Sequence, residues 1–265
     1  MRKIILPLLA LMGALVCGCA TTPEQTQDEV FVVNAKPYEV HAVVIGMETS
    51  KFAGACPGAG LDSDKMYQVI SRYANSTILL QNANATKGSV VASIEMGIER
   101  SENGLFILYY SGHGGSSPFP DTGIEEIDGK DEYLCLYDTY LRDNEIWNMI
   151  CKSKGRVFII TDSCHSQTQF RNPAFVLTPP MAFDHTLNEV QPFSMLCWSG
   201  CPDENYSYGS TTGGQFTNAL LRHYKPNMTY QQLWDKIKAD KTLRIYENPQ
   251  STVIGNGFKT AIFLR

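Results

Sequence analysis

The sequence predicts an α/β domain, with a mostly parallel central sheet and helices on both faces. Three observations carry this. First, residues 38–111 alternate strand, helix, strand, helix, strand, and a repeated βαβ pattern gives a parallel sheet with right-handed crossovers. Second, the runs 104–111 (GLFILYYS) and 157–161 (VFIIT) carry no charge and are rich in β-branched and aromatic residues, as suits strands covered on both faces. Third, both runs stop abruptly at residues that carry chemistry: Gly112-His113-Gly114-Gly115 and Asp162-Ser163-Cys164-His165-Ser166. In open parallel sheets, sites form at the carboxyl ends of the strands.

The 265 residues, 43% of them hydrophobic, suffice for one α/β domain with a substantial core. The net charge of −5, with no dense basic block, argues against a nucleic-acid partner. Arg2 and Lys3 precede an apolar run over 4–16 that is short for a bilayer span but suits a signal-peptide core. It ends at Val16-Cys17-Gly18-Cys19, which resembles a bacterial lipobox with Cys19 as the lipidated residue. An ordinary secretory signal is the alternative. The expected organisation is therefore a signal peptide over 1–19, a polar tether over 20–36 and one domain over 37–265, held at a membrane of the cell envelope by acyl chains.

Within the domain, the first strand is expected over 38–47, with His41 a packed residue rather than a ligand. The small-residue loop that follows is no dinucleotide fingerprint, because Ser63 stands where the motif opened by Gly58 and Gly60 needs glycine or alanine. A helix follows over 61–73, with Leu61, Met66, Val69, Ile70 and Tyr73 on one side. A strand over 76–81 and a helix over 86–100, striped by Val90, Val91, Ile94 and Ile98, lead into the 104–111 strand. Residues 116–130 read as loop, 133–137 as a short strand and 143–151 as a helix before the 156–161 strand. A long proline-containing loop over 167–192 precedes a strand over 193–199, helices over 213–224 and 230–240, and a last strand over 259–264.

Cys164 ends a buried strand between an acid and a hydroxyl residue, the position of a nucleophile. A cysteine becomes an effective thiolate at neutral pH beside an imidazole, and His113, at the end of the other apolar strand, supplies one. His165, adjacent in sequence, points elsewhere on an extended chain. A zinc site is the alternative; it needs three or four ligands, and only Cys164, His165 and His113 are candidates. An exported domain could oxidise some of its cysteines, but an active Cys164 must stay reduced, so few disulfides are expected.

Taken in order, Ser111-Gly112-His113-Gly114, Asp128-Gly129-x-Asp131-Glu132, Leu141-x-Asp143-Asn144-Glu145-Ile146, Asp162-Ser163-Cys164-His165-Ser166, Ser199-Gly200-Cys201-Pro202-Asp203 and the segment GGQFTNALL from Gly213 resemble the caspase-like cysteine peptidases, and metacaspases among them. The resemblance spans most of 38–224. It implies the three-layer caspase-haemoglobinase-like fold and cleavage of polypeptides by a His113/Cys164 dyad. It also implies an oxyanion hole from the Gly114 and Cys164 amides.

In metacaspases the pocket for the side chain preceding the scissile bond is acidic. The resemblance places Asp64, Ser111, Asp162 and Ser199 there, so arginine and lysine are the expected residues. It also suggests calcium activation through Asp131, Asp143 and Asn144, although Asn144 replaces an acid, Arg171 stands near an expected fourth acid, and Asp143 also suits a helix start. No cofactor is expected for the chemistry itself, and the chain is expected to be a monomer. Arg171 and Lys130 are candidate self-processing positions. Two other classes stay open: a catalytically silent binding lipoprotein, and a cysteine amidase or transpeptidase of the envelope.

Overall fold

A computed structural model describes residues 38–117, 131–163, 185–187, 193–200, 209–243, 247–255, 258, 261 and 263. Cys19, the 20–36 tether, Lys130, Cys164 and Arg171 lie outside the described residues.

The elements run β1 (Val40–Gly46), α1 (Ala59–Ile70), β2 (Ser76–Gln81), α2 (Lys87–Arg100), β3 (Leu105–Ser111), β4 (Gly114–Ser117), β5 (Asp131–Cys135), β6 (Tyr140–Arg142) and α3 (Asp143–Ile150). They continue through β7 (Arg156–Asp162), β8 (His185–Leu187), β9 (Ser194–Ser199), β10 (Gly209–Ser210), β11 (Gly213–Gly214), α4 (Gln215–His223), α5 (Tyr230–Lys238) and β12 (Gln250–Ile254). Among the described residues, seven strands form one sheet in the order β2-β1-β3-β7-β9-β12-β8. Its pairs are parallel except β9 with β12. This is the mostly parallel α/β sheet that the βαβ repeat predicts.

The central strands are buried on both faces, and their alternate residues enter two separate cores. Val43, Ile45, Phe106, Leu108, Val157 and Ile159 pack with Val90 and Ile94 of α2 and Ile146 and Ile150 of α3. Val44, Ile107, Tyr109, Phe158, Ile160 and Trp198 pack on the other face with Met66 of α1, Phe216 and Leu220 of α4, and Leu233 and Ile237 of α5. The layers are thus α2 and α3, then sheet, then α1, α4 and α5. Each such fully buried side chain contributes about 1.5–3 kcal/mol, so the sheet is the rigid floor on which the site stands.

Three expectations are corrected. The first helix starts at Ala59 rather than 61 and ends at Ile70 rather than 73. The segment after His113 is strand, and β4, β5 and β6 form a small antiparallel sheet beside the carboxyl ends of the main one. Among the described residues the last strand is β12, earlier than the expected 259–264, most of which lies outside the described residues. Ala261 and Phe263, the described residues of that run, are outside any strand. Phe263 instead stacks on Trp198 at 6.0 Å and meets Phe158 edge-on at 5.8 Å, so this ring plugs a core. β8 falls inside the long 167–192 loop and pairs with β12. His41 is the packed residue expected: its Nδ1 lies 2.7 Å from Ser76 Oγ and its Nε2 2.9 Å from Glu39 Oε2. Among the described residues, no helix is long and apolar enough to cross a membrane.

Candidate active site

The site begins with a register. β3 and β7 are adjacent and parallel, with Leu105 opposite Arg156 and Ser111 opposite Asp162. The two strands therefore end level, about 4.8 Å apart, and the Gly112 amide still donates to the Asp162 carbonyl at 3.3 Å. His113 follows two residues beyond Ser111, and Cys164 two residues beyond Asp162. Thr161 pairs with Ser199 at the end of β9, so Ser199 sits one strand further along the same edge.

His113 is held from two sides. Its carbonyl accepts from the Cys135 amide at 2.9 Å and lies 2.7 Å from the Tyr110 hydroxyl. Tyr110 approaches so closely that a Cβ on Gly112 would lie 2.6 Å from its oxygen, which is one reason for glycine before the histidine. The half-buried ring places Nε2 3.2 Å from the Ala55 carbonyl. A carbonyl only accepts, so Nε2 carries the proton in this contact and Nδ1 is the basic nitrogen. Gly114 opens β4 and pairs with Leu134.

Beneath this edge lies a buried acid pair. Asp62 accepts on Oδ2 from the Gly214 amide at 2.7 Å and from Ser111 Oγ at 3.1 Å. Asp162 accepts on Oδ2 from the Thr217 amide at 2.9 Å and from Thr217 Oγ1 at 2.7 Å. Gly214 is wedged between the two carboxylates: a Cβ there would lie 2.2 Å from Asp162 Oδ2. Burial, and then the charge of Asp162, push the Asp62 carboxyl up to about 7, against the opposing pull of the Gly214 and Ser111 bonds. Burial and the same two charges raise the Tyr109 phenol well above its ordinary range.

The structure thus brings Ser111, Asp162 and Ser199 to one edge, but not Asp64. Asp64 is exposed and accepts from Gln81 Nε2 at 2.9 Å, on the side of α1 that faces β2. Asp62, two residues earlier, is the acid of α1 that meets Ser111 and Gly214. Two residues along a helix is a rotation of about 200°, so the two acids point in opposite directions. The signal is present in the sequence: Asp62, Met66 and Ile70 recur at i, i+4, i+8, and all three are buried. Thr217 and Gly214, also absent from the sequence-derived set, reach the acids through the β10–β11 turn and the start of α4.

Asp143 and Asn144 are buried in the first turn of α3, where Asp143 Oδ1 accepts the Asn144 amide at 2.7 Å. Asp131 opens β5. Among the described residues, no three His, Cys, Asp or Glu side chains converge to hold a metal ion.

The result is a three-layer α/β sheet in which the strand leading to His113 ends level with the strand leading to Cys164, beside two buried acids. The chain belongs to the caspase-domain family, whose model matches residues 39–250. Relatives include Metacaspase-1 of Emericella nidulans, 21% identical over 225 residues, with 62% of this chain and 55% of the relative covered. Metacaspase-1 of Cryptococcus neoformans is 22% identical over 227 residues, covering 62% and 49%. The chain spans about half the length of these curated relatives. Two crystal structures share the fold. A protein of Geobacter sulfurreducens superposes with a TM-score of 0.66 at 24% identity, covering 84% of this chain and 97% of its own. Caspase-1 of Spodoptera frugiperda gives 0.51 at 11% identity, covering 82% and 89%.

Proposed function

We propose that the chain is a cysteine endopeptidase that hydrolyses polypeptides after arginine or lysine. The observation that carries this is the level ending of β3 and β7 above the Asp62/Asp162 pair. His113 Nδ1 takes the thiol proton of Cys164, and the thiolate attacks the scissile carbonyl. The Gly114 and Cys164 amides receive the developing oxyanion. His113 returns the proton to the departing amine, leaving a thioester. It then activates the water that cleaves the thioester and frees the acid. A guanidinium or ammonium group fits a site walled by two carboxylates, whereas an aspartate side chain is repelled.

A second reading has an observation of its own. Both acids accept backbone N–H groups around the start of α4, so they also serve as structural anchors, and a catalytically silent binding protein would keep them for that alone. The deciding assay compares the wild-type protein with Cys164→Ala on short peptides ending in Arg, Lys or Asp, with and without calcium. Turnover after Arg or Lys that is lost in Cys164→Ala supports the peptidase; no turnover from folded protein supports the binding reading. Asp162→Asn should lower kcat/KM for Arg peptides about a hundredfold, the usual consequence of removing one partner of a buried charge pair. The calcium arm tests whether Asp131, Asp143 and Asn144 act together. Anchoring through Cys19 at the cell envelope completes the reading and is tested by whether Cys19→Ala releases the protein from membranes. The monomer expectation is tested by sedimentation.

A further inference from the structure

Among the described residues, Asp62 and Asp162 stand in unequal surroundings. Both donors of Thr217 converge on Asp162 Oδ2. Since the Thr217 hydroxyl has one proton and gives it to Asp162, the contact of 2.7 Å with Tyr109 runs the other way, from the phenol to Thr217 Oγ1. Tyr109 and Thr217 are completely buried. The relay Tyr109 to Thr217 to Asp162 is therefore dry and directed, and it ends on a carboxylate. Asp62 differs. Its Oδ2 is engaged by Gly214 and Ser111, while no donor among the described residues reaches its buried Oδ1. Among the described residues, the other groups facing the pair include Lys65 of α1, whose Nζ is held 3.1 Å from both the Thr212 carbonyl and Asn218 Oδ1, and the neutral side chains of Tyr109 and Ser111 from β3 and Asn218 from α4. Lys65 favours the ionised form of Asp62, but burial and Asp162 outweigh it.

Resting on the peptidase reading, we propose that Thr217 is a positioning residue for specificity: by holding Asp162 with both of its donors, it leaves Asp62 as the carboxyl that holds a proton in the empty site and releases it when a basic substrate side chain binds. The proton sits on Asp62 Oδ1, the oxygen without a donor. An arginine or lysine side chain brings one positive charge, the proton leaves to solvent, and the occupied site holds two carboxylates against one cation. A cation beside Asp62 favours its ionised form, so binding of the basic side chain and release of the proton are coupled.

The test uses the full chain in detergent, carrying Cys164→Ala so that ligands bind without turnover. Binding of an Arg-ended peptide is measured by calorimetry at pH 6 in two buffers of different ionisation enthalpy, which counts protons. About one proton should be released per peptide, and none for the same peptide ending in citrulline, the neutral shape-mimic of arginine. In the active protein, KM for the Arg peptide should fall with rising pH, approaching tenfold per pH unit well below about 7, where Asp62 titrates. Thr217→Val should raise KM at pH 7 on the order of tenfold and move the midpoint upward with kcat little changed, while Thr217→Ser restores both. Proton release equal for arginine and citrulline overturns the proposal. So does a Thr217→Val enzyme whose KM profile matches wild type, even if its melting temperature falls, because that would be a merely structural role. Lack of Arg-ended turnover in the wild-type enzyme is a different failure, that of the peptidase reading itself. If Thr217→Val does not fold, the Thr217→Ser profile and the proton count on Cys164→Ala still decide.

Discussion

Asp62 carries a cost that the fold accepts. The folded chain keeps its proton up to about pH 7, whereas an aspartate in the unfolded chain releases it near 3.8. Between those values the folded state binds more protons, so stability falls as pH rises through the window. Asp62→Asn keeps an oxygen to accept the Gly214 amide and removes the charge. It should therefore be more stable than wild type at pH 8 by up to a few kcal/mol, since each pH unit of that window is worth about 1.4 kcal/mol. The difference should shrink towards zero at pH 4. Urea unfolding at the two pH values checks this, and a variant less stable at pH 8 would show that the carboxylate's hydrogen bonds outweigh its burial. A residue that weakens its own fold under the conditions where it is ionised is characteristic of a binding group rather than a packing group.

At the scale of elements, the acids are assembled from a helix, two strands and a turn: α1 gives Asp62, β3 gives Ser111, β7 gives Asp162, and β11 with the start of α4 closes over them. The close approach at Gly214 makes that turn sensitive. Gly214→Ala would push a methyl into Asp162 Oδ2. It should cost about 1–3 kcal/mol of stability and lower kcat/KM for Arg peptides at least tenfold; full activity would place the acids outside the substrate's path. Much of this architecture is legible in the sequence, because β3 and residues 157–161 of β7 are short charge-free runs that lead into glycine and histidine in one case and acid in the other. The acid on α1 is harder to find, because a motif runs by position along the chain while a helix sorts residues by angle. The strand β12 escapes the sequence pattern because QSTVI is half polar and lies between Pro249 and Gly255, whereas Phe263, from the more apolar run after it, serves as an aromatic plug.

The whole molecule depends on that plug. Phe158 lies at the middle of β7 and touches Trp198, Tyr230, Phe258 and Phe263, at centroid distances from 5.0 to 6.3 Å. One residue therefore ties the central strand to β9, α5 and the C-terminal segment. Phe158→Ala should cost about 3–5 kcal/mol, seen as a lower urea midpoint with an unchanged slope. Two separate transitions would instead mean that the C-terminal layer melts independently of the sheet.

The acid pair also has a consequence in time. Its walls are drawn from residue 62 to residue 217, and the relay that ends on Asp162 needs α4, which leaves the ribosome some fifty residues after the cysteine. Domains emerge from their N-terminus, and contacts so distant in sequence form late. A partly synthesised chain would carry its thiol and its histidine, but no finished recess in which to seat a cation. On the proposed reading, the order of synthesis itself keeps the catalyst idle until α4 has emerged.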